Sequence, residues 1–292
     1  IYRLPLEMVN EVVNDNNELT PEFNSYQLQQ MANLSVQYYG FQHWSDIFNN
    51  VDVRKAFNYA IDREKICDFT LKGTGLPGHY GIVPPAMNNY DAKALKGYAY
   101  DPDKARAHFE KAGYTNGEGF PEITLQINSG GGTNEQVAEA VQSMLNEVLN
   151  IKVNITKLPF AQHLENLETG KANFWRAGWI ADYPDPENFL NLFYSKHIPE
   201  KLEDKSYLNS VRYESEEFDQ LFERALKTID EDQRHLLYLK AEQVMLDDAA
   251  IIPIFYYKDY RLLQPDVRNF PQNAMEHRNF REVYFVPTKS EI

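Results

Sequence analysis

Hydrophobic periodicity divides the chain into a mixed series of strands and helices. Patterns typical of β-structure predict strands at Leu34–Phe41, Ile123–Ile127, Ile151–Ile155, Phe174–Ala181 and Ile251–Tyr257. Helical spacing predicts helices at Val53–Ile61, Asp101–Gly113, Glu135–Leu149, Phe160–Glu168, Glu216–Lys227 and Glu231–Asp247. The strand–helix–strand order between Ile123 and Ile155 favours a crossover connection in an α/β sheet. The residues after Tyr257 are expected to be irregular.

Local sequence signals define the ends of two of these helices. Asp101 is a suitable N-cap, Pro102 suits the first helical position, and Gly113 can adopt the left-handed conformation that ends a helix. The run Gly130–Gly132 lies between a strand and a helix, as a phosphate-binding loop would. No Lys-Ser or Lys-Thr pair follows it, so we interpret it as a flexible connection.

Composition and charge restrict the possible partners. The formal net charge of -14 disfavours binding to nucleic-acid phosphates or to anionic lipid. Cys67 is the single cysteine, which excludes an intramolecular disulfide and a cysteine-based zinc site; we expect it to be a small buried residue. The sequence has no apolar run long enough to span a bilayer. Its start at Ile1, without a signal peptide, is consistent with a mature or truncated chain.

The segment Arg176–Leu190 contains the most informative chemistry. A strand is predicted to end at Asp182, and the prolines at 184 and 186 force a turn before a new helix. This geometry can present the Asp182 carboxylate to a cleft walled by Trp179 and Tyr183, where it would bind an ammonium group. The alternative is that Asp182 caps the following helix and that the aromatic residues belong to the core.

This segment resembles the signature of the peptide- and nickel-binding solute-binding proteins of ABC importers, known as family 5. Three further segments are similar to that family's pattern: Val53–Glu64, Tyr100–Ala105 with Ala112–Tyr114, and Ile252–Tyr256. The resemblance implies an α/β fold of the periplasmic-binding-protein type (type II, cluster C), with two lobes around a cleft. It places residues 1–46 in a remnant of lobe I and the hinge entry, residues 47–252 in lobe II, and residues 253–292 in the return to lobe I.

The resemblance also assigns roles to individual residues. In peptide binders of the family, the aspartate that matches Asp182 receives the N-terminal ammonium of the ligand. The residue that matches Trp179 lines side-chain pockets, and the one that matches Arg176 can meet a ligand carboxylate. A second arginine of some oligopeptide binders has no counterpart around Leu167–Glu168, which leaves the recognition of the ligand's C-terminus open.

The resulting expectation is an extracytoplasmic protein, periplasmic or lipid-anchored, that delivers peptides to the transmembrane subunits of an ABC permease. It would be monomeric and would use no catalytic residue, cofactor, metal or nucleic acid. Three alternatives stay open: another small solute, such as a nickel chelate, a sugar or an opine; a hydrolase that uses Asp182 and Asp185; or a purely structural interaction domain, which would not need Arg176, Trp179 and Asp182 to line a cleft. No serine-hydrolase elbow or zinc-protease motif is present, and aspartates three positions apart on one turn rarely face each other across a sugar.

Overall fold

The computed structural model describes residues 3–14 and 16–287. The strands of this part are β1 Gln27–Phe41, β2 Gly75–Pro77, β3 Ile123–Asn128, β4 Val153–Leu158, β5 Phe174–Ile180, β6 Ile251–Leu263, β7 Val267–Arg268 and β8 Tyr284–Phe285. Its α-helices are α1 Val9–Val12, α2 Val51–Ala60, α3 Arg63–Lys65, α4 Pro102–Lys111, α5 Gly132–Leu149, α6 Phe160–Glu168, α7 Glu187–Leu190, α8 Glu216–Leu226 and α9 Glu231–Asp247. A π-helical turn at Ile66–Thr70 and several short 3-10 turns complete the chain.

A six-stranded mixed sheet forms the centre of the molecule, in the order β2-β6-β1-β5-β3-β4. β1 pairs antiparallel with both β5 and β6, whereas β3 pairs parallel with β4 and with the start of β5. The connection from β3 through α5 to β4 is therefore the α/β crossover that the sequence predicts. β7 and β8 form a separate two-stranded ribbon.

Hydrophobic cores cover both faces of the sheet, because successive side chains of a strand point to opposite faces. In β5, Phe174 lies in the core shared with α2, α4 and α5, whereas Trp175 lies in the core shared with α8 and α9. β1 divides in the same way, with Tyr38 on the α8–α9 side and Tyr39 on the other. The faces of β5 therefore lead to different surroundings, which matters for the site.

Two strands are longer than the sequence predicts. β1 begins at Gln27 rather than Leu34, and β6 continues to Leu263 rather than ending at Tyr257, so the prediction of an irregular tail is wrong for that stretch. The two extensions pair with each other from Gln27↔Leu263 to Ala32↔Lys258. Their polar side chains conceal the strands in the sequence: Gln27, for example, donates from Nε2 to the carbonyl of Val267 at 2.9 Å.

The predicted signals for the start and end of a helix are confirmed at α4. Asp101 accepts a hydrogen bond from the Lys104 amide at 3.0 Å, Pro102 opens the helix, and Gly113 has a φ of +98°. Cys67 is buried, as expected. The glycine run is shorter as a loop than predicted, because Gly132 already belongs to α5.

The three predicted segments of the chain share one sheet. The boundary between 252 and 253 falls inside β6, and β1 from the first segment pairs with β5 from the second. Residues 1, 2, 15 and 288–292 of the flanking segments lie outside the described residues. The division into a second lobe and two returning pieces of the first lobe stays a prediction.

Candidate ligand-binding site

The candidate site forms where β5 ends. Trp179 and Ile180 complete the strand, and the Ala181 amide still donates to the carbonyl of Leu34 at 2.9 Å. Pro184 and Pro186 then prevent further strand pairing, and α7 begins at Glu187. The chain thus turns away from the sheet directly after Ala181, with Asp182 at the outside of the turn.

A buried amide that sequence reasoning missed organises this turn. The Oδ1 atom of Asn188 accepts from the Trp179 indole Nε1 at 2.9 Å and from the Asp182 main-chain amide at 3.2 Å. Asn188 is itself buried in α7. It therefore fixes the indole ring and the backbone of Asp182 relative to each other. Its only signal in the sequence is a polar residue at the start of an apolar helix, and that signal is weak.

The Asp182 side chain is exposed, and its carboxylate makes no hydrogen bond or ion pair with any described residue. It does not cap α7, whose N-cap is Pro186, so that part of the alternative is wrong. The other part holds for Trp179, which is partly buried against the core shared with α8 and α9. The turn before α7 is instead closed by Asp185, whose Oδ1 accepts from the Glu187 amide at 2.9 Å. The structure therefore leaves the acid of the signature available at the surface of the turn.

Asp185 is occupied on both oxygens, since its Oδ2 accepts from Arg234 at 3.2 Å. Its contacts account for it as a turn-forming and ion-pairing residue.

Tyr183 stands beside the turn, 45% exposed, and its hydroxyl donates to the carboxylate of Glu187. Partial burial and this neighbouring acid raise the pKa of the Tyr183 phenol. Tyr183 is thus partly solvated and directly follows Asp182, and its role as a wall of the site stays a prediction.

Arg176 lies on the opposite face of β5 from Trp179, because three positions separate them along the strand. Its guanidinium donates to Asn128 Oδ1 at 2.9 Å and to Gln37 Oε1. Burial lowers the pKa of Arg176, and no carboxylate among the described residues forms an ion pair with it. The side chain is held in place by neutral groups and keeps an unbalanced positive charge.

Arg176 lines a cavity of about 330 Å³ between β1, β5 and the segment around Glu276. Asn33 also lines it and is 5% exposed; its amide donates to Asp259 and to Glu276, while its Oδ1 has no hydrogen-bond partner. Arg3 completes the polar wall through an ion pair with Asp259 at 2.6 Å. Sequence reasoning missed Asn33 and Gln37, because isolated polar residues on a strand carry no spacing signal.

The edge of β5 beyond Trp175 is open. β3 pairs with β5 only at Leu125↔Phe174 and Gln126↔Trp175. Main-chain groups alternate in direction along a strand, and the Ala181 amide points to β1, so those of Gly178 and Ile180 point away from β1. Among the described residues no strand pairs with them on that side.

The described part of the chain contains neither the geometry of a metal site nor that of a membrane-spanning helix. Across 3–14 and 16–287, no group of three or more His, Cys, Asp or Glu side chains is placed to hold a metal ion. No helix of that part is long and apolar enough to cross a bilayer.

The fold matches that of known solute-binding proteins. The Helicobacter pylori ABC transporter-associated periplasmic binding protein DppA, solved in complex with the peptide STSA, superimposes with a TM-score of 0.79 and 26% identity. The alignment covers 97% of this chain and 52% of that one. The α/β fold of the type II periplasmic binding proteins, expected from the sequence, is thereby confirmed.

Sequence comparison identifies the family. The model of the bacterial extracellular solute-binding proteins, family 5 (middle region), matches residues 3–199, and the chain belongs to this family. It is 30% identical to the periplasmic oligopeptide-binding protein OppA of Escherichia coli K12 over 258 residues, 87% of this chain and 45% of that protein. It is 28% identical to the heme-binding protein A of Haemophilus influenzae, over 87% of this chain and 45% of that protein. The chain thus spans about half the length of the curated relatives it matches.

Proposed function

We propose that this chain forms the ammonium-binding half of a peptide-capture site in the solute-binding component of an ABC importer. The observation that carries the proposal is the free Asp182 carboxylate at the end of an open strand edge. An ammonium group is its natural counterion, and a charge-assisted hydrogen bond between them strengthens when water is excluded.

The open edge supplies the second part of the recognition. A peptide in extended conformation can add to β5 by bonding its main chain to Gly178 and Ile180. Such binding depends on the main chain, which every peptide has, and so tolerates varied side chains. Asp182 then fixes the end at which the ligand begins.

The two faces of β5 explain how Arg176 and Trp179 serve one ligand from opposite sides. Side chains of an added strand alternate between the faces of the sheet. Those on one face approach the cavity with Arg176, and those on the other approach Trp179. A carboxylate of the ligand, at its C-terminus or in a side chain, is the group that would balance the charge of Arg176.

Capture requires a facing half that these residues do not supply. A carboxylate as exposed as Asp182 contributes little by itself, since water screens an exposed ion pair. Closure of a second lobe over the turn would bury the pair and signal the transmembrane subunits of the permease. We place the protein outside the cytoplasm, as a monomer that binds and releases its ligand without chemical change.

Replacement of the acid tests the proposal in the full-length protein. Asp182→Asn should weaken binding of a free-amine tripeptide by about tenfold or more, because the ammonium loses its countercharge. Calorimetry would measure the affinities, and the matched control is Asp103→Asn, an exposed aspartate on α4. N-acetylation should weaken the binding of the peptide to the wild type by the same factor as Asp182→Asn weakens the binding of the free-amine peptide. Equal affinity of the wild type for free and acetylated peptides would refute the ammonium role.

A further inference from the structure

A histidine ring occupies the point where β3 and β5 separate. The strands pair up to Gln126↔Trp175, and the next main-chain acceptor on that side of β5 is the carbonyl of Arg176. This carbonyl accepts a hydrogen bond from the Nε2 atom of His163, on α6, at 2.9 Å. A side chain thus replaces the neighbouring strand at the start of the open edge.

The surroundings of His163 determine which ring nitrogen carries the proton. A carbonyl oxygen only accepts, so Nε2 must be protonated toward Arg176. The Nδ1 atom then accepts from the side-chain amide of Gln126 at 2.9 Å, and Asn166 in turn donates to Gln126 Oε1 at 2.7 Å. The ring is 1% exposed. It is therefore held as one neutral tautomer by groups from β3 and α6.

Ionisation of this ring is disfavoured. Burial lowers the pKa of His163 to about 4, and the nearby charge of Arg176 acts in the same direction, although the bond to the Arg176 carbonyl opposes it. Arg176 is the charged group that acts on the ring; Gln126 and Asn166 are neutral. The Nδ1 atom thus stays an acceptor for the Gln126 amide through the neutral pH range.

Without this hydrogen bond, the Arg176 carbonyl would lack the contact that keeps β5 apart from β3. β3 continues through Ile127 and Asn128, paired to β4, with its other edge facing β5. Those residues are positioned to extend the parallel ladder along β5 and cover its edge. The imidazole instead takes the first carbonyl that such a ladder would use.

We infer that His163 is a positioning residue for ligand binding: it anchors the Arg176 carbonyl and keeps the edge at Gly178 and Ile180 open to a ligand main chain. The inference rests on the proposed function and assigns a new residue to it. His163 has no contact with the ligand in this role. Its effect acts through the orientation of β5.

The test compares variants that keep or lose the donor. The amide nitrogen of His163→Gln can occupy the place of Nε2, whereas His163→Asn is too short and His163→Phe has no donor. With tri-alanine as the probe and calorimetry on the full-length protein, the Phe and Asn variants should bind about tenfold more weakly, and Gln within about threefold of wild type. If His163→Phe does not fold, the Gln and Asn variants provide the same comparison.

Analogues of tri-alanine with single N-methyl groups separate positioning from general damage. Methylation removes one main-chain donor of the ligand. Consider the analogue that is methylated at the nitrogen donating to β5. For this analogue, the ratio of wild-type affinity to Phe-variant affinity should be smaller than for unmethylated tri-alanine, because part of the shared interaction is already absent. The inference alone would be overturned if the Phe variant lost the same factor of affinity for every analogue. It would also be overturned if the Phe and Asn variants bound with wild-type affinity. No binding of tri-alanine or its analogues by the wild type would overturn the proposed function and the inference together.

Discussion

At the residue scale, the feature that is hardest to predict from the sequence is a set of arginines that are buried without an acidic partner among the described residues. Arg54, Arg63 and Arg212 are buried and bond mainly to main-chain carbonyls. Burial lowers the pKa of each to about 10. Long cationic side chains are ordinarily assigned to the surface, so no periodicity argument finds them. Here they satisfy buried main-chain carbonyls, among them that of Pro253 inside β6, which a hydrophobic residue could not do.

Arg63 provides the clearest stability prediction. It donates to the carbonyls of Pro253 at 2.6 Å and Asn58 at 3.0 Å, so Arg63→Met leaves buried acceptors without donors. We expect a loss of about 3 kcal/mol in the free energy of unfolding, measured by urea denaturation. Arg106→Met, at a 52% exposed side chain, is the control and should change it by less than about 0.5 kcal/mol. Equal effects would contradict the role given to Arg63.

Glu242 is a buried acid with a different consequence. Its Oε1 accepts from the amides of Ile82 and Val83 at 2.6 and 2.9 Å, and its Oε2 from the hydroxyl of Tyr90. Burial raises its pKa to about 7, although these hydrogen bonds oppose the shift. The folded state therefore holds the proton more tightly than the unfolded chain does, and the associated stability is lost as pH rises through about 7.

Comparison with Glu242→Gln isolates this titration. Glutamine keeps an oxygen for the two amides but cannot ionise. The stability of the wild type relative to the variant should fall by about 2 kcal/mol between about pH 5 and about pH 8. Urea unfolding at several pH values measures the difference between the two free energies of unfolding. The other acids titrate in both proteins, so their contributions cancel in this difference. A constant or rising difference would show that Glu242 is not protonated preferentially in the folded state.

The site was only partly predictable at this scale. Asp182, Trp179, Arg176 and Tyr183 stand in a recognisable segment, and the structure places them on one strand and its turn. Asn188, Asn33 and His163 act through contacts with residues from other elements. Nothing in the spacing of the sequence marks such partners, because the fold alone brings them together.

At the element scale, amphipathic helices and capped ends were predictable, and strand extensions were not. α4 begins and ends where Asp101 and Gly113 indicate. The additional residues of β1 and β6 carry Gln, Lys, Asp and Arg, yet they form strands because each extension supplies the other's main-chain partners. Strand formation there is a tertiary effect that local propensity does not record.

The close packing of β1 on β5 yields a prediction at Gly178. A methyl group at this position would overlap the side-chain amide of Gln37, which holds Arg176. Gly178→Ala should therefore weaken binding of acid-bearing peptides by about tenfold, measured by calorimetry, with a smaller effect on thermal stability. Gly131→Ala is the matched control, since nothing lies within 4 Å of its added carbon and its φ is 169°. Equal affinities in both variants would contradict this account.

At the scale of the whole molecule, the two large cores on opposite faces of the sheet support a strand with an open edge. The chain covers about half the length of its relatives, and a ligand bound here would keep one side exposed. We expect the acid, the open edge and the Arg176 guanidinium, which neutral groups hold in place, to need a facing lobe that excludes water. The resemblance to the family predicts this two-lobed organisation, which stays a prediction.

If Asp182 receives the ligand's ammonium, the site should select a free amino terminus. The most direct measurement is native mass spectrometry of the full-length protein after incubation with an equimolar mixture of free and N-acetylated forms of the same peptides. The retained ligands should be the free-amine forms, because only these carry the ammonium that Asp182 would pair with. Retention of both forms in equal amounts, or preference for the acetylated forms, would contradict it.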